Sequence, residues 1–493
     1  MNVSEYSKYD SSNCSTIVVG KNASVTGKVL LGHNEDDGKC ILEQHLVPRI
    51  KHADGETISF KDGKAVIPQV RETYSYLWTE VRVKGGISFA DGFINEWGLA
   101  VVSNACRPSK LPEGDLDVGI GYGIRRLVAE RAKTAREAVA VAAELVEKYG
   151  YFSSRTYTFA DKDEAWSFQI PTGHNYAARR VGDDEILYIP NWFTIHNVDM
   201  NDKENFACSE TLITNAIQNG WYTPKTENDY SDFDYAAAYQ DGDMAQYNIY
   251  RARNAWRMLT GKKLSIDEIK PFSMKAEKKY SARDLKEVLQ SHYEGTEDDR
   301  SNGYEINPHQ GGHLCRAYTT ICNGTTVESM VVEFNENPYL TRALKTTGKP
   351  CISPYTPWYP VALTRIPDGY NYQGPEAAQI SHFVVDDEEL KLDRNKAWWS
   401  FKVLRYMTEF DYKNTHDFIH SSREKLEAKF ESEKVGIERA FNALKDVDID
   451  AAKEILTSYT CECAKRAWDW ADNMIFEVGE ARLEKNYIDQ GIE

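Results

Sequence analysis

Short runs of alternating and apolar residues dominate the first part of the chain, and turn-forming residues separate them. The first run is Ser15–Val19, and the second covers residues 28–31 with polar residues and Gly27 between them. Short runs of this kind, bounded by turn residues, are typical of β-strands. The pattern therefore predicts that the chain opens with two short strands joined by a loop.

Further pairs of such runs follow, and the residues between them predict tight turns. The predicted turns lie at residues 95–98, 161–164 and 182–184. We expect a hairpin across each of them, so the last hairpin would pair residues 175–181 with residues 185–189. Residues 361–365 are predicted to be a later strand.

Helical periodicity separates and follows these strand blocks. The predicted helices cover residues 121–131, 134–148, 245–259, 398–401, 415–444 and 450–475. Thr134 and Glu137 have the spacing of a capping box, and Gly150 is placed to end that helix. In the helix at 245–259 we expect Arg251 and Arg253 to expose their guanidinium groups.

The order of these elements predicts the fold class. Successive hairpins favour antiparallel sheets, and the helical blocks are expected to cover their outer faces. The chain is therefore predicted to be an α+β protein. The acidic C-terminal helices, with Glu and Lys at helical spacing, are expected to form a helical layer or part of a subunit contact.

Composition and charge exclude several classes of protein. The chain has 493 residues with 29 Tyr, 18 Phe and 11 Trp, which is enough apolar material for a large core. Its net charge of −17 argues against a nucleic-acid partner or an anionic membrane surface. The longest apolar runs fall short of a transmembrane helix, and residues 1–13 are too polar for a secretory signal. We interpret residues 1–13 as a short leader.

The nine cysteines predict neither a disulfide framework nor a metal centre. Their number is odd, their spacing is irregular, and no pair has the spacing of a zinc ribbon or a redox motif. Cys461 and Cys463 are interpreted as positions on a helix. This usage favours a reducing cytoplasm, and we predict no metal site and no cofactor.

Candidate chemistry lies in the first predicted strand pair. Cys14 opens the first strand, and residues 33–37 (His-Asn-Glu-Asp-Asp) close the second. Because the start of one antiparallel strand lies beside the end of the next, a thiol and a polar cluster are expected to meet at one edge of a sheet. Such a thiol is either a nucleophile with its supporting groups or a small buried side chain beside a solvated turn.

Two motifs carry a resemblance that bears on this choice. Cys-Ser-Thr-Ile-Val-Val-Gly-Lys from Cys14 and Gly-His-Asn-Glu-Asp from Gly32 resemble the amino-terminal signature of the C69 family of cysteine dipeptidases. The resemblance implies the αββα sandwich of N-terminal-nucleophile hydrolases, which choloylglycine hydrolases and penicillin V acylases share. It also implies cleavage between Asn13 and Cys14, so that the Cys14 α-amine becomes the base for its own thiol. An α-amine has an ordinary pKa near 8, which suits that role.

The resemblance extends to further site residues. It implies that Asn104 donates to the oxyanion and that Asp36 orients the α-amine, with Asn34 and Asn191 near the substrate. Asn104 has the alternative of capping a strand end. Arg316 is a candidate for binding a substrate carboxylate through a bidentate fork, or it forms an ordinary ion pair. His33 stands where the family usually has an arginine beside the thiol, so its help would depend on pH.

The sequence thus predicts a leader at 1–13, a hydrolase domain at 14–387 and a helical region at 388–493. The predicted activity is cysteine-dependent hydrolysis of dipeptides in the cytoplasm by a homo-oligomer, with neither nucleic acid nor membrane as partner. Two alternatives remain open. One is a non-catalytic, secernin-like relative, and the other is an amidohydrolase of the same fold that acts on non-peptide acyl-amides.

Overall fold

The structure is a computed structural model that describes residues 14–36, 40–60, 63–83, 89–106, 109–111, 119–265, 268–309, 320–371 and 391–489. Its strands are β1 (Ser15–Val19), β2 (Leu30–Asp36), β3 (Cys40–Val47), β4 (Ile50–Lys51), β5 (Thr57–Ile58), β6 (Ile67–Pro68), β7 (Glu72–Thr73), β8 (Tyr76–Val83), β9 (Phe89–Asn95), β10 (Ala100–Ala105), β11 (Tyr151–Ala160), β12 (Ala165–Gly173), β13 (Ala177–Arg180), β14 (Glu185–Ile189), β15 (Phe206–Cys208), β16 (Met274–Lys275), β17 (Thr326–Glu333), β18 (Arg342–Lys345) and β19 (Thr356–Trp358). Its helices are α1 (Ile124–Arg131), α2 (Ala135–Tyr149), α3 (Leu212–Gln218), α4 (Tyr235–Tyr239), α5 (Gln246–Thr260), α6 (Ala282–Leu289), α7 (Ala397–Phe410), α8 (Tyr412–Leu444) and α9 (Ile449–Asp489). Short 3₁₀ turns cover Gly121–Gly123 and Pro338–Leu340.

The strands form two large antiparallel sheets. The first has the order β16-β14-β1-β2-β17-β18-β19, and the second has the order β15-β13-β12-β11-β10-β9-β8-β3. Two small ribbons, β4-β7 and β5-β6, accompany them. Strand β1 lies inside the first sheet, with β14 on one side and β2 on the other.

Three apolar clusters show how the layers stack. Side chains of β1 and β2 such as Val18 and Leu31 pack against Val102 and Ala160 of the second sheet. The opposite face of the second sheet packs against α1 and α2, for example through Phe159. The opposite face of the first sheet packs against α5 and α6, through Ile17, Leu30, Tyr188, Trp256 and Leu285. Helices therefore cover both outer faces, which confirms the predicted α+β class with an αββα stack.

One predicted hairpin is wrong. The strand at 177–180 pairs with β12 and β15 in the second sheet, whereas the strand at 185–189 pairs with β1 and β16 in the first. The chain thus crosses between the sheets through the turn at Gly182, instead of folding back on itself. A short polar turn between two apolar runs is compatible with either path, because the choice depends on which partner strands are nearby.

Two other strand predictions need correction. The second strand ends at Asp36 and not at residue 31, because β17 pairs with it as far as Asp36 and Thr326. Residues 361–365 are not a strand: the Ala362 N–H donates to the Tyr359 carbonyl, and the Thr364 N–H donates to Thr457 Oγ1 of α9. These two N–H groups are already hydrogen-bonded within a turn and to a side chain of α9, so they do not pair with another strand. The strand in this region is β19.

The C-terminal helices pack against the β19 end of the first sheet. Ala464, Ala467 and Met474 of α9 join the same apolar cluster as Trp358 of β19 and Phe401 of α7. None of the helices within the described ranges is both long and apolar enough to cross a membrane.

Candidate active site

The candidate site lies where β1 begins and β2 ends. Ser15 pairs with Asn34 and Thr16 pairs with His33, so the two motifs meet as expected. Residues 33–36 of the polar cluster are part of a buried strand, however, and not a solvated turn, since His33, Asn34, Glu35 and Asp36 are all buried. Asp37 lies outside the described residues. The third strand, β17, covers it from the other side.

Strand alternation divides this cluster between two faces. Successive side chains of a strand point to opposite faces of its sheet. Leu31 packs between the two sheets, and a Cβ on Gly32 would meet Leu285 and Leu289 of the helical layer. His33 and Glu35 therefore share the inter-sheet face, whereas Asn34 and Asp36 share the face toward the helices.

Cys14 lies on the inter-sheet side and is 1% exposed. Its Sγ, one ring nitrogen of His33 and one carboxylate oxygen of Glu35 all lie within 4.8 Å of one another. A thiol beside an imidazole has a route for losing its proton, and the thiolate is the reactive form of cysteine. Three donors of this kind are also compatible with a bound cation, as are those of Glu43, His45 and Glu80 on β3 and β8.

Hydrogen bonds orient the His33 ring. Thr16 Oγ1 lies 2.8 Å from His33 Nδ1 and donates to Asn104 Oδ1 at 2.6 Å. Because the hydroxyl carries one hydrogen, it accepts from His33, which places a proton on Nδ1. The other ring nitrogen, Nε2, lies 3.4 Å from Glu35 Oε2. A neutral His33 would therefore present Nε2 as an acceptor.

Asn104 reaches the start of β1 across the space between the sheets. It sits near the end of β10, and its Nδ2 donates to the Ile189 carbonyl over a long 3.3 Å. An amide nitrogen carries two hydrogens, and this bond uses one of them. Asn191 is more fully engaged: its Nδ2 donates to the Ala105 carbonyl at 2.8 Å, and its Oδ1 accepts from Arg251 at 2.6 Å.

Arg251 is a site residue that the sequence analysis missed, since its guanidinium was expected to be exposed. It is fully buried, and its Nη1 donates to the Cys14 carbonyl at 2.9 Å and to Ser15 Oγ at 3.2 Å. Its Nη2 donates to Asn191 and Asn248. The signal was the helical period: Asn248, Ala252 and Ala255 mark the buried face of α5, and Arg251 lies on it.

Asp36 and Asn34 face the helical layer. Burial raises the pKa of Asp36 from 3.8 to about 7, against the opposing effects of a hydrogen bond to Thr326, the charge of Arg251 and a hydrogen bond from Asn323. Asn323 Nδ2 lies 2.6 Å from Asp36 Oδ2. Asn34 Nδ2 donates to the carbonyls of Leu289 and Ile321 at 2.8 and 3.1 Å.

The structure places the predicted site residues in different positions relative to Cys14. Cys14, His33 and Asn104 lie between the two sheets. Arg251 links Asn191 to Cys14, because it donates to both. Asn34 and Asp36 lie on the opposite face of β2, toward the helices. Asn13 and Arg316 lie outside the described residues. The catalytic, substrate-binding and cleavage roles assigned from the sequence stay predictions.

The architecture defines the class first. Two antiparallel sheets packed face to face, with helices on both outer faces, form the αββα sandwich that the sequence resemblance implied. Within that class the chain belongs to peptidase family C69, whose family model matches residues 13–425. The resemblance inferred from the two amino-terminal motifs is therefore confirmed.

The individual relatives share less than a third of their aligned residues with this chain. A probable dipeptidase of Latilactobacillus sakei is 29% identical over 325 residues, which are 62% of this chain and 68% of that protein. A dipeptidase of Bifidobacterium longum is 23% identical over 460 residues, or 84% of this chain and 80% of that protein. Among solved structures, penicillin V acylase of Agrobacterium tumefaciens has a TM-score of 0.34 at 12% identity, covering 70% of this chain and 84% of its own. A mutant form of the conjugated bile acid hydrolase of Clostridium perfringens has a TM-score of 0.28 at 10% identity, covering 68% and 89%.

Proposed function

We propose that this protein is a cysteine dipeptidase whose nucleophile is Cys14, exposed as the amino-terminal residue once residues 1–13 are removed. The observation that carries the proposal is the position of Cys14: it immediately precedes the central strand β1, and its sulfur lies within 4.8 Å of donor atoms of His33 and Glu35. Membership of peptidase family C69 and two relatives named as dipeptidases support a peptide substrate.

The proposed reaction begins when the Cys14 thiol gives its proton to the freed α-amine. The thiolate attacks the dipeptide carbonyl, and the protonated amine then returns the proton to the leaving amine as the peptide bond breaks. Water, deprotonated by the same α-amine, attacks the thioester and releases the acyl product. Joining nucleophile and base in one residue removes the need to align two side chains.

The surrounding residues have distinct proposed roles. The second Nδ2 hydrogen of Asn104 is directed to the oxyanion, where loss of one donor costs about 10²–10³ in rate in comparable enzymes. Arg251 fixes the Cys14 carbonyl and thereby the rotation of the nucleophile about its backbone. His33 stabilises the thiolate while it is protonated, and Asp36 orients the α-amine.

Substrate selection is proposed to depend on the free ends of a dipeptide. A dipeptidase must recognise a free carboxylate or a free amine in order to exclude longer chains. We assign the carboxylate to Arg316 and the substrate edge to Asn191. Asn34 was predicted to bind substrate, but its amide donates to the Leu289 and Ile321 carbonyls on the helix side, so we assign it a supporting role for β2. A dipeptide has both charged ends within a short distance, so these contacts would raise specificity more than side-chain pockets would.

The first experiment is intact mass and amino-terminal sequencing of the purified protein, followed by a panel of dipeptides and acyl-amides. We expect a mature chain that begins at Cys14 and cleaves dipeptides. A chain that retains residues 1–13 and has no hydrolytic activity would favour the secernin-like alternative. If the protein cleaves acyl-amides but leaves dipeptides uncleaved, the result would favour the alternative of an amidohydrolase that acts on non-peptide acyl-amides.

A further inference from the structure

Four side chains that the candidate active site does not use form a second buried cluster. They are His292, His309, Cys322 and Cys351, and one donor atom of each lies within 4.8 Å of the others. His292 follows α6, Cys322 precedes β17, and Cys351 lies between β18 and β19. The cluster is thus assembled from loops that meet at one end of the first sheet. All four residues are buried.

The distances between these donors match a small tetrahedral ion. The two sulfurs lie 3.4 Å apart, His309 Nε2 lies 3.8 Å from Cys322 Sγ and 3.7 Å from Cys351 Sγ, and the two Nε2 atoms lie 2.9 Å apart. A tetrahedral zinc with bonds of about 2.3 Å to sulfur and about 2.0–2.1 Å to nitrogen requires separations of about 3.8, 3.6 and 3.3 Å respectively. Each observed separation lies within about half an ångström of that requirement.

The far side of each imidazole is occupied by a carboxylate. His292 Nδ1 lies 2.7 Å from Glu294 Oε1, and His309 Nδ1 lies 2.9 Å from Glu409 Oε1. Arg405 in turn holds Glu409 at 2.9 Å. Metal-bound histidines commonly donate their second ring nitrogen to a carboxylate, which fixes the ring and directs the other nitrogen to the metal.

This arrangement poses an electrostatic problem that a cation would resolve. When each ring carries its proton on Nδ1, the two Nε2 lone pairs face each other at 2.9 Å. Two sulfurs approach the same point. While Cys322 keeps its proton, its Sγ donates to Cys351 Sγ. Once both thiols have lost their protons, four electron-rich atoms converge in a buried space, and a bound cation would offset their repulsion.

We propose that His292, His309, Cys322 and Cys351 bind one Zn²⁺ ion as a closed, structural site. Two sulfur and two nitrogen ligands are typical of zinc, and four protein ligands leave no position for water or substrate. A cavity of about 300 Å³, lined in part by His292, Cys351, His416 and His420, gives the ion a route to the cluster. The proposal replaces the expectation from the sequence that the protein holds no metal.

The ion would fix the position of residues that contact Asn34 and Asp36 on the face of β2 toward the helices. Cys322 lies between Ile321, whose carbonyl accepts from Asn34, and Asn323, whose amide donates to Asp36. His309 and Cys322 also flank the stretch of sequence that contains Arg316. Zinc would therefore join both ends of this stretch and hold Asn323 in place, without contacting a substrate.

The first test is the metal content of the purified full-length protein, prepared without chelator and measured by inductively coupled plasma mass spectrometry. We expect about one zinc per chain. The His292→Ala variant and the Cys322→Ser/Cys351→Ser double variant should fall to about one-tenth of that content or less. Cys208→Ser, a thiol outside the cluster, should retain the metal.

Cys14→Ala is the matched variant that separates the two thiol clusters. Zinc that disappears in Cys14→Ala but persists in the double variant would belong to Cys14, His33 and Glu35, and would overturn the proposal. A metal-free protein would overturn it as well, whether mass spectrometry under non-reducing conditions finds a Cys322–Cys351 disulfide or two free thiols.

A spectroscopic measurement covers the case in which the cluster variants do not fold. Cobalt(II) exchanged into the wild-type protein should give the intense visible bands of a tetrahedral site and a thiolate-to-metal charge-transfer band. A spectrum of octahedral cobalt without thiolate bands would contradict the assignment. This test needs no substitution and no turnover, so its outcome is independent of the proposed dipeptidase activity.

Discussion

Two buried clusters in this protein combine thiols with imidazoles, and we propose different roles for them. One joins Cys14 with His33 and Glu35, and the other joins Cys322 and Cys351 with His292 and His309. The first comes from two neighbouring strands, and the second comes from four segments that are distant in sequence. Both place thiols beside imidazoles in the interior.

The difference lies in how many donors converge. At Cys14 one sulfur meets one imidazole, and the His33 ring is oriented by the Thr16 hydroxyl. A proton can move there, because the His33 ring and the Glu35 carboxylate both lie near the single sulfur. At Cys322 two sulfurs and two nitrogens point at one centre, and carboxylates occupy the far side of both rings. Such a set is suited to a metal and leaves the thiols unreactive.

The largest expected contrast comes from deleting one thiol from each cluster. Cys14→Ala should lower kcat/KM for a dipeptide by roughly 10⁴-fold or more, because the nucleophile is lost. Its free energy of unfolding should stay within about 1 kcal/mol of the parent. Cys351→Ser should keep the nucleophile but lose roughly 3 kcal/mol or more of stability with the metal. Activity assays and urea unfolding of both variants measure the contrast. If the two variants lost the same kcat/KM, or the same free energy of unfolding, the proposed difference between the clusters would be wrong.

A pH experiment probes Asp36, which lies between the two clusters. Burial raises its pKa from 3.8 in the unfolded chain to about 7 in the folded state. The folded protein therefore holds this proton over a range in which the unfolded chain has released it. The free energy of unfolding should fall as the pH rises from about 4 to about 7, by roughly 4 kcal/mol in all.

The matched variant is Asp36→Asn, which keeps the shape and does not titrate. Its stability relative to the parent should rise across the same pH range and become constant above about pH 7.5. Urea unfolding at a series of pH values measures the difference. Parallel curves for the two proteins would show that Asp36 is ionised throughout.

The smallest expected effect concerns the residue that departs from the family pattern. His33→Arg replaces a switchable cation with a permanent one beside Cys14, so the change of kcat/KM with pH should flatten between about pH 6 and 8, by a few-fold at most. The pH–rate profile measures it, with exposed His174→Asn as control. A profile identical to that of the parent would mean that His33 does not act on the thiol through its charge.

Much of the local structure could be predicted from the sequence. The helix after Thr134 begins and ends where it was predicted, with Thr134 Oγ1 accepting from the Glu137 N–H and Gly150 at its end with a positive φ. Half of the predicted capping box forms, because the Glu137 carboxylate accepts from the Lys133 N–H and not from that of Thr134. The turn at Asn95 is equally local, because its Oδ1 accepts from the N–H groups of Trp97 and Leu99. These features depend on interactions over a few residues, which propensities and caps describe well.

The errors share a different cause. The paired partner of a strand, the length of β2 and the burial of Arg251 all depend on elements far away in sequence. Arg251 is buried because Asn191, Asn248 and the Cys14 carbonyl supply acceptors for its guanidinium. Arginine side chains are usually exposed, so the prediction is correct for most positions. It fails where the protein interior supplies enough hydrogen-bond acceptors for the guanidinium.

The sequence by itself determined many of the strand and helix segments, the fold class, the family and the candidate nucleophile Cys14, since each depends on a contiguous motif or a short period. Only the tertiary structure decided which sheet each strand joins, that Arg251 holds Cys14, and that His292, His309, Cys322 and Cys351 converge. The physical reason is range. Local hydrogen bonding and side-chain periodicity act within a turn or a strand, whereas the packing of the layers brings together residues up to 59 positions apart in the metal cluster and 237 apart at Cys14.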